Sequence, residues 1–404
     1  EPDVIAHATG SPNTSDGLTA MSVMMDIATE QGIVVVQSAG NQPESMYTLN
    51  ESASSVKAIT VRALTSDLKE VQGRSSRGPT ADLRIKPDLV APGQNIYTTK
   101  ASTEHDLSNP SYQAYVVTSG TSIAVPHVAG VAALIKQQHS DWTPEMIKAA
   151  MMNTADPLAN DRLWEQGAGA INKNRALTTS LLVMPPSLSF GQLTSNKTGK
   201  HTITLQNFGA NPIEVNLSTE TRVYSGGNWP QDNNTGNGLY LADSSDVAVS
   251  SSTETVSPGA VTSVDLSAGP FTADSPEGWY EGRVSVTSSE GTLTVPYIFY
   301  LSHSNSNYDK IFGGPKMVCG NTGFMARFIG ASDCNSGPSK PNQYPVKPDS
   351  KDQVYITAVI GDARDSVPSG IPGVNHFSVE LVYSLSSVES KSAVVNMLDD
   401  GLQG

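Results

Sequence analysis

One stretch constrains this chain more than any other, from Tyr115 to Ile135. A β-branched run, Tyr115-Val116-Val117-Thr118, meets Ser119-Gly120-Thr121-Ser122, and a helix of small apolar residues follows without a break. A strand that turns directly into such a helix belongs to a packed α/β core. It also places a serine on the first helical turn, where free backbone N–H groups and the helix dipole favour developing negative charge. Gly120 lets the backbone approach a ligand closely, and Ala124 leaves room beside the Ser122 hydroxyl. The segment is a seat for a nucleophile that attacks a carbonyl.

Residues Gly120 to Gly130 resemble the serine segment of the subtilisin-like proteases (subtilases), Gly-Thr-Ser-Met-Ala-x-Pro-His-Val-Ala-Gly. Ile123 stands where that pattern has methionine. The resemblance implies Ser122 as the nucleophile. It extends over about Asp3 to Leu177, through Ser75-Ser76-Arg77-Gly78-Pro79, Lys86 to Gly93, and the closing Gly167-Ala168-Gly169.

The preceding residues read as strand, helix, strand. A short strand over Pro2 to Ala8 is broken by Thr9-Gly10-Ser11-Pro12. A helix from about Leu18 to Gln31 is capped by Ser15 or Asp16, with Leu18, Met21, Met25 and Ala28 on its inner face. Ile33 to Val36 is a continuous apolar run, the mark of a strand buried on both faces. Such an order implies a right-handed parallel crossover. Ligands bind beyond the carboxyl ends of strands in these sheets, where Asn41 falls. A Gly-Asn turn alone is usually only a turn. Beside Ser122, Ser38-Ala39-Gly40-Asn41 resembles the subtilase segment whose asparagine completes the oxyanion hole. By the same resemblance Ala8, Thr9, Gly10 and Ser11 form a wall of the substrate cleft. With Ala39 and Gly40 they line the primary specificity pocket, although Thr9 and Ser11 depart from the family's residues. Asp88 belongs to a structural Lys-Pro-Asp segment and is not assigned as a triad carboxylate.

A serine hydroxyl needs a base, and the base an orienting carboxylate. Subtilases draw both from Asp-Thr/Ser-Gly and His-Gly-Thr segments, and neither occurs in this chain. His127, five residues after Ser122, is rotated about 500° along the helix and faces away. His7 lies on a strand where the family has no base. A parallel sheet starting at Asp3 would also leave an unpaired edge. The expectation is an N-terminal subtilase segment carrying the aspartate and histidine, in the same chain or as a separate one.

The chain has 25 Lys+Arg against 39 Asp+Glu, a net charge of −14, with no basic stripe, so no nucleic-acid partner is expected. No apolar run approaches the roughly 18 residues of a membrane span. Cys319 and Cys334 are spaced for one loop-closing disulfide, which suits an oxidising compartment; two free buried thiols are the alternative. Asn13, Asn50, Asn196, Asn216 and Asn233 begin glycosylation sequons. No cofactor is read from the residues, and calcium enters only through the resemblance.

From Leu181 the composition turns to Ser, Thr and Gly with short alternating runs, such as Val284 and Val286 facing Leu293 and Val295. Pro185 to Phe190 and Gly278 to Tyr297 resemble the fibronectin-III-like domain that follows some large secreted subtilases. The expected fold is therefore α/β over 1–180, a partial parallel-sheet subtilisin-like domain lacking its N-terminal part. One or two all-β sandwich-like domains follow, a fibronectin-III-like one over 181–303 and a β-rich one of unread role over 304–404. The expected function is a secreted or extracellular serine endopeptidase acting on protein or peptide substrates through an acyl-enzyme on Ser122. The alternative is an inactive subtilase scaffold serving adhesion or assembly.

Overall fold

Strands rich in Val, Ile, Leu and Ala that are buried on both faces belong between two covering layers, and four predominantly apolar strands pair here into one parallel sheet. A computed structural model describes residues 2–11, 14–42, 46–100, 114–159, 161–195, 197–224, 239–241, 246–303, 376–385 and 388–398. The sheet runs β1 (Val4–His7), β2 (Val34–Ser38), β3 (Ile59–Leu64), β4 (Leu89–Pro92), with every pair parallel. Alternate side chains serve opposite faces. Val34 and Val36 join the core under helix α2 (Thr121–Gln138), whereas Val35 packs with Met25 of helix α1 (Ala20–Glu30). Ala124, Val125, Val128, Ala132 and Ile135 of α2 are fully buried against the sheet. Each Val or Ile so placed stabilises by about 1.5–3 kcal/mol.

Helix α1 differs from its sequence reading. It begins at Ala20, and Thr19 is the N-cap, its side chain accepting from the Ser22 N–H. Asp16 instead accepts from the Leu18 N–H. Its inner face is Ser22, Met25 and Thr29, while Leu18 is 77% and Met21 39% exposed. The hydroxyls are buried without penalty because Ser22 donates to the Glu51 carbonyl and Thr29 to the Met25 carbonyl.

Past β4 the chain forms an antiparallel ribbon, β5 (Ile96–Thr99) with β6 (Tyr115–Thr118), which runs into α2. Helix α3 (Pro144–Asn153) starts as its sequence predicts, with Thr143 accepting from the Met146 N–H and Pro144 at the first position. Two short helices, α4 (Leu163–Gln166) and α5 (Lys173–Thr178), follow.

The next strands form two sheets around one apolar cluster. One sheet orders β12 (Val247–Val249), β14 (Val261–Ala268), β9 (Gly199–Asn207) and β7 (Leu181–Met184). The other orders β11 (Leu239–Leu241), β10 (Ile213–Tyr224), β15 (Gly278–Ser288), β16 (Gly291–Ser302) and β8 (Leu188–Thr194), with β13 (Thr253–Val256) also on β10. Val284 pairs with Val295 and Val286 with Leu293, whereas β8 joins β16 in parallel. This region shares a core with the parallel-sheet region: Leu83, Ile85, Leu163 and Trp164 pack with Trp279, Ile298 and Tyr300.

A second compact unit contains the hairpin β17 (His376–Leu385) and β18 (Val388–Leu398), antiparallel with a bulge near Leu385. Cys319, Cys334, Asn13, Asn196 and Asn233 lie outside the described residues. No helix of the described residues is long and apolar enough to cross a membrane.

Candidate active site

Gly120 is the N-cap of α2 and has φ +148°, a conformation open to glycine and strained for other residues. It supplies no side chain to cap the first turn. Among the described residues no protein acceptor takes the Ser122 N–H. Pro126, four residues on, has no N–H to return to the Ser122 carbonyl. The half-buried Ser122 hydroxyl has no hydrogen-bond partner among the described residues.

Asn41 meets this turn from the end of β2. A Cβ on Gly120 would stand 3.4 Å from the Ser122 Oγ and 3.5 Å from both the Nδ2 and Oδ1 of Asn41. Hydroxyl and carboxamide thus border one small space, which a glycine alone leaves open. The carboxamide is oriented by Thr121, whose backbone N–H and hydroxyl both donate to Oδ1, at 2.9 and 3.0 Å. The Nδ2 has no protein acceptor among the described residues and is left as a free donor beside that space.

Thr121 is a site residue that the sequence reading passed over. It is fully buried, and its hydroxyl also accepts from the Gly40 N–H at 3.3 Å. Two more positioning residues are Asn50 and Gln37. Asn50 is buried between two glycines, its atoms 2.8–2.9 Å from a Cβ on Gly10 and 2.7–2.9 Å from one on Gly40. That burial removes Asn50 from the candidate glycosylation sites of the folded chain, whereas Asn216 is exposed on β10. Gln37, also fully buried, donates from Nε2 to the Thr9 carbonyl at 2.8 Å.

The proposed pocket residues divide into two groups. Ala8, Thr9, Gly10 and Ser11 are exposed along the loop after β1, and Ser11 is tied by its carbonyl to the Glu51 N–H. Ala39 and Gly40 are buried, with the Ala39 side chain against Leu49 and Ala53, so only their backbone can meet a ligand.

The five histidines with described side chains are all engaged away from Ser122. The Nδ1–H of His127 donates to the Ile123 carbonyl at 3.0 Å on the exposed side of α2. His7 donates from Nδ1 to the Gln37 Oε1. His139 stacks on Trp142, His201 pairs with the Ser189 carbonyl, and His303 with Ser195 and the Ser275 carbonyl. Asp88 is buried in an ion cluster, 2.6 Å from Lys86 and 2.9 Å from Lys148. Burial alone would raise its carboxyl, but Lys148 and Lys86 together hold it below the ordinary range. No group of three or more His, Cys, Asp or Glu among the described residues is placed to hold a metal ion.

Comparison with known proteins fits this arrangement. Residues 1–182 match the sequence model of the subtilase family. The chain is 38% identical over 156 residues to the serine protease AprX of Bacillus subtilis (strain 168), covering 36% of this chain and 35% of that protein. It is 37% identical over 177 residues to the minor extracellular protease Vpr of the same bacterium, covering 42% of this chain and 21% of Vpr. It is likewise 37% identical over 177 residues to the subtilisin-like protease SBT3 of Solanum lycopersicum, covering 37% and 22%. The chain therefore spans 35% of AprX and only 21–22% of the other two.

Proposed function

Because this chain belongs to the subtilase family through residues 1–182, we propose that it is the serine-bearing part of a secreted subtilisin-like serine endopeptidase. The observation that carries the reading is the Ser122 hydroxyl and the Asn41 carboxamide bordering one space at Gly120.

In this reading the Ser122 Oγ attacks the carbonyl carbon of a peptide bond and gives up its proton to a histidine base. The tetrahedral oxyanion accepts hydrogen bonds from the Asn41 Nδ2 and the Ser122 N–H. As the intermediate collapses, the C–N bond breaks and the same imidazolium protonates the departing amine. Water then hydrolyses the acyl-serine by the reverse proton route. The loop Ala8 to Ser11, with the backbone of Ala39 and Gly40, receives the acyl side of the substrate.

The histidine and its aspartate are assigned to an N-terminal subtilase segment, continuous with this chain or separate. An open sheet edge and the outer sides of the two covering helices support a polypeptide partner there. Among the described residues β1 is paired on one edge only, to β2. On α1, Met21, Met24 and Ile27 are exposed at a spacing of three, with Leu18 exposed just before its N-cap, and on α2 Pro126, Gly130, Ala133 and Leu134 form a second exposed strip. Apolar strips on the outer sides of two helices are surfaces on which further elements pack. The two-sheet region after residue 180 is assigned as a fibronectin-III-like domain, and the Cys319–Cys334 pair as its disulfide-bearing neighbour.

The test is labelling with a fluorophosphonate in the intact natural protein. Ser122 labelled, and unlabelled in Ser122→Ala, together with a polypeptide bearing the Asp and His-Gly-Thr segments, supports the protease. Folded protein that never labels overturns it in favour of an inactive scaffold.

A further inference from the structure

We propose that Ser76 is a positioning residue for the oxyanion donor: it holds the peptide groups on either side of Asn41 and so fixes where the carboxamide stands beside Ser122. The inference rests on the assignment of Ser122 as nucleophile and Asn41 as its oxyanion donor.

The Ser76 N–H donates to the Gly40 carbonyl at 2.9 Å, and the Ser76 hydroxyl accepts from the Gln42 N–H at 3.0 Å. The first bond holds the peptide plane that enters Asn41, and the second holds the plane that leaves it. Peptide groups are planar, so fixing both planes fixes the two soft dihedrals between them and with them the direction of the Asn41 side chain. Thr121 then sets the far end of that side chain through Oδ1. The approach of Ser76 is close. Gly40 has φ +114°, and a Cβ there would stand 2.6 Å from the Ser76 Oγ, so a side chain at that position would displace the serine.

Ser76 is itself held from behind. It is fully buried, as is Ser75, whose hydroxyl accepts from the Ala63 N–H of β3 at 3.1 Å. Arg62 reaches from the Ser75 carbonyl to the Glu165 carbonyl of α4, each at 2.6 Å, and the Gly78 N–H donates to the Trp164 carbonyl at 3.0 Å. Two adjacent serines thus divide one task. Ser75 anchors the loop to β3, and Ser76 passes that anchorage to the turn after β2. Both hydroxyls accept from backbone, but the Ser76 hydroxyl alone reaches a residue flanking Asn41, which supplies the control for the test.

The experiment is steady-state kinetics on the intact natural protein with a peptide that it cleaves. Ser76→Ala deletes the acceptor for the Gln42 N–H but keeps the backbone bond to Gly40. The expected result is a kcat about tenfold lower, less than the roughly 10²–10³ of a donor lost outright, with KM within about twofold. Ser75→Ala should lower Tm to a similar extent and leave kcat within about twofold, since the bond it removes does not touch the turn. In an Asn41→Asp background Ser76→Ala should lower kcat no further, because the group it positions can no longer donate. If Ser76→Ala does not fold, Ser76→Cys keeps a weak acceptor of similar size and carries the same comparison with a smaller loss. An unchanged kcat, an equal loss in Ser75→Ala, or a loss that adds in full to that of Asn41→Asp overturns the inference and leaves the protease reading standing. A natural protein that neither cleaves peptides nor labels at Ser122 overturns the protease reading, and this inference with it.

Discussion

The Oδ1 of Asn41 accepts two hydrogen bonds from one residue, the backbone N–H and the hydroxyl of Thr121. This pairing settles which end of the carboxamide faces inward, since an NH₂ group could not accept from the Thr121 N–H. The first residue of α2 therefore orients the carboxamide that stands beside its second residue.

Replacing Asn41 by aspartate separates the two roles of the side chain. The carboxylate still accepts from Thr121, but it cannot donate to an oxyanion. Asn41→Asp is expected to keep the fold and lower kcat by about 10²–10³ with little change in KM, as for other lost oxyanion donors. Steady-state kinetics on the intact protein check it, and a kcat within threefold of the natural value would remove Asn41 from the mechanism.

If Asn41 is the oxyanion donor of the proposed reaction, Thr121 acts through it as a positioning residue. Thr121→Val keeps the backbone bond to Oδ1 but deletes the hydroxyl that also accepts from the Gly40 N–H. The expected outcome is a loss of about 1–3 kcal/mol in unfolding free energy, the usual cost of stranded buried polar groups. It should come with a fall in kcat larger than any rise in KM, and Thr121→Ser should restore both. A variant that loses stability with kcat unchanged would make Thr121 structural alone.

Local pattern made part of this architecture legible. The Gly120–Gly130 run, the apolar β2 and the Thr143–Pro144 helix start are each written in consecutive residues. The inner face of α1 was not, because Ser22 and Thr29 bury hydroxyls whose acceptors, the Glu51 and Met25 carbonyls, no hydrophobic period reveals. Thr121 escaped for a different reason: its partner Asn41 is 80 positions away and meets it only after the sheet forms. Asn50 reads as a sequon in sequence, and only its packing between Gly10 and Gly40 gives it a structural role. The two-sheet region was legible as alternating strands, but the apolar cluster that joins it to Leu83 and Trp164 was not.

The ion cluster beneath β3 should make stability depend on alkaline pH. Burial pushes the Lys86 amine from 10.5 down to about 7, with Lys148 acting the same way and Asp88 opposing. Between those two values the unfolded chain holds this proton and the folded chain does not, so unfolding takes up a proton and stability rises with pH. Below about 7 both states hold it and the contribution is flat. The measurement is the unfolding free energy of the natural protein minus that of Lys86→Met, from pH 6 to 10. The difference should climb in favour of the natural protein above pH 7; a constant difference would mean that Lys86 titrates alike in both states.

Trp279 tests whether the parallel-sheet and two-sheet regions unfold together. It is 4% exposed, meets Trp164 with ring centroids 6.0 Å apart and Tyr300 at 5.3 Å, and sits in the cluster with Leu83 and Leu163. Beside it the Glu281 carboxylate accepts from the Leu163 N–H at 2.9 Å, a second bond across the same boundary. Trp279→Ala removes a large buried ring and is expected to cost about 3–5 kcal/mol. Because the cavity opens on both regions, the loss should appear equally in fluorescence of the remaining tryptophans and in protection of β1–β4 amides from hydrogen exchange. If the exchange of β1–β4 is unchanged while the strands around β15 and β16 loosen, the shared cluster does not couple the two regions. In that case the Ser122–Asn41 geometry is held by the parallel sheet alone.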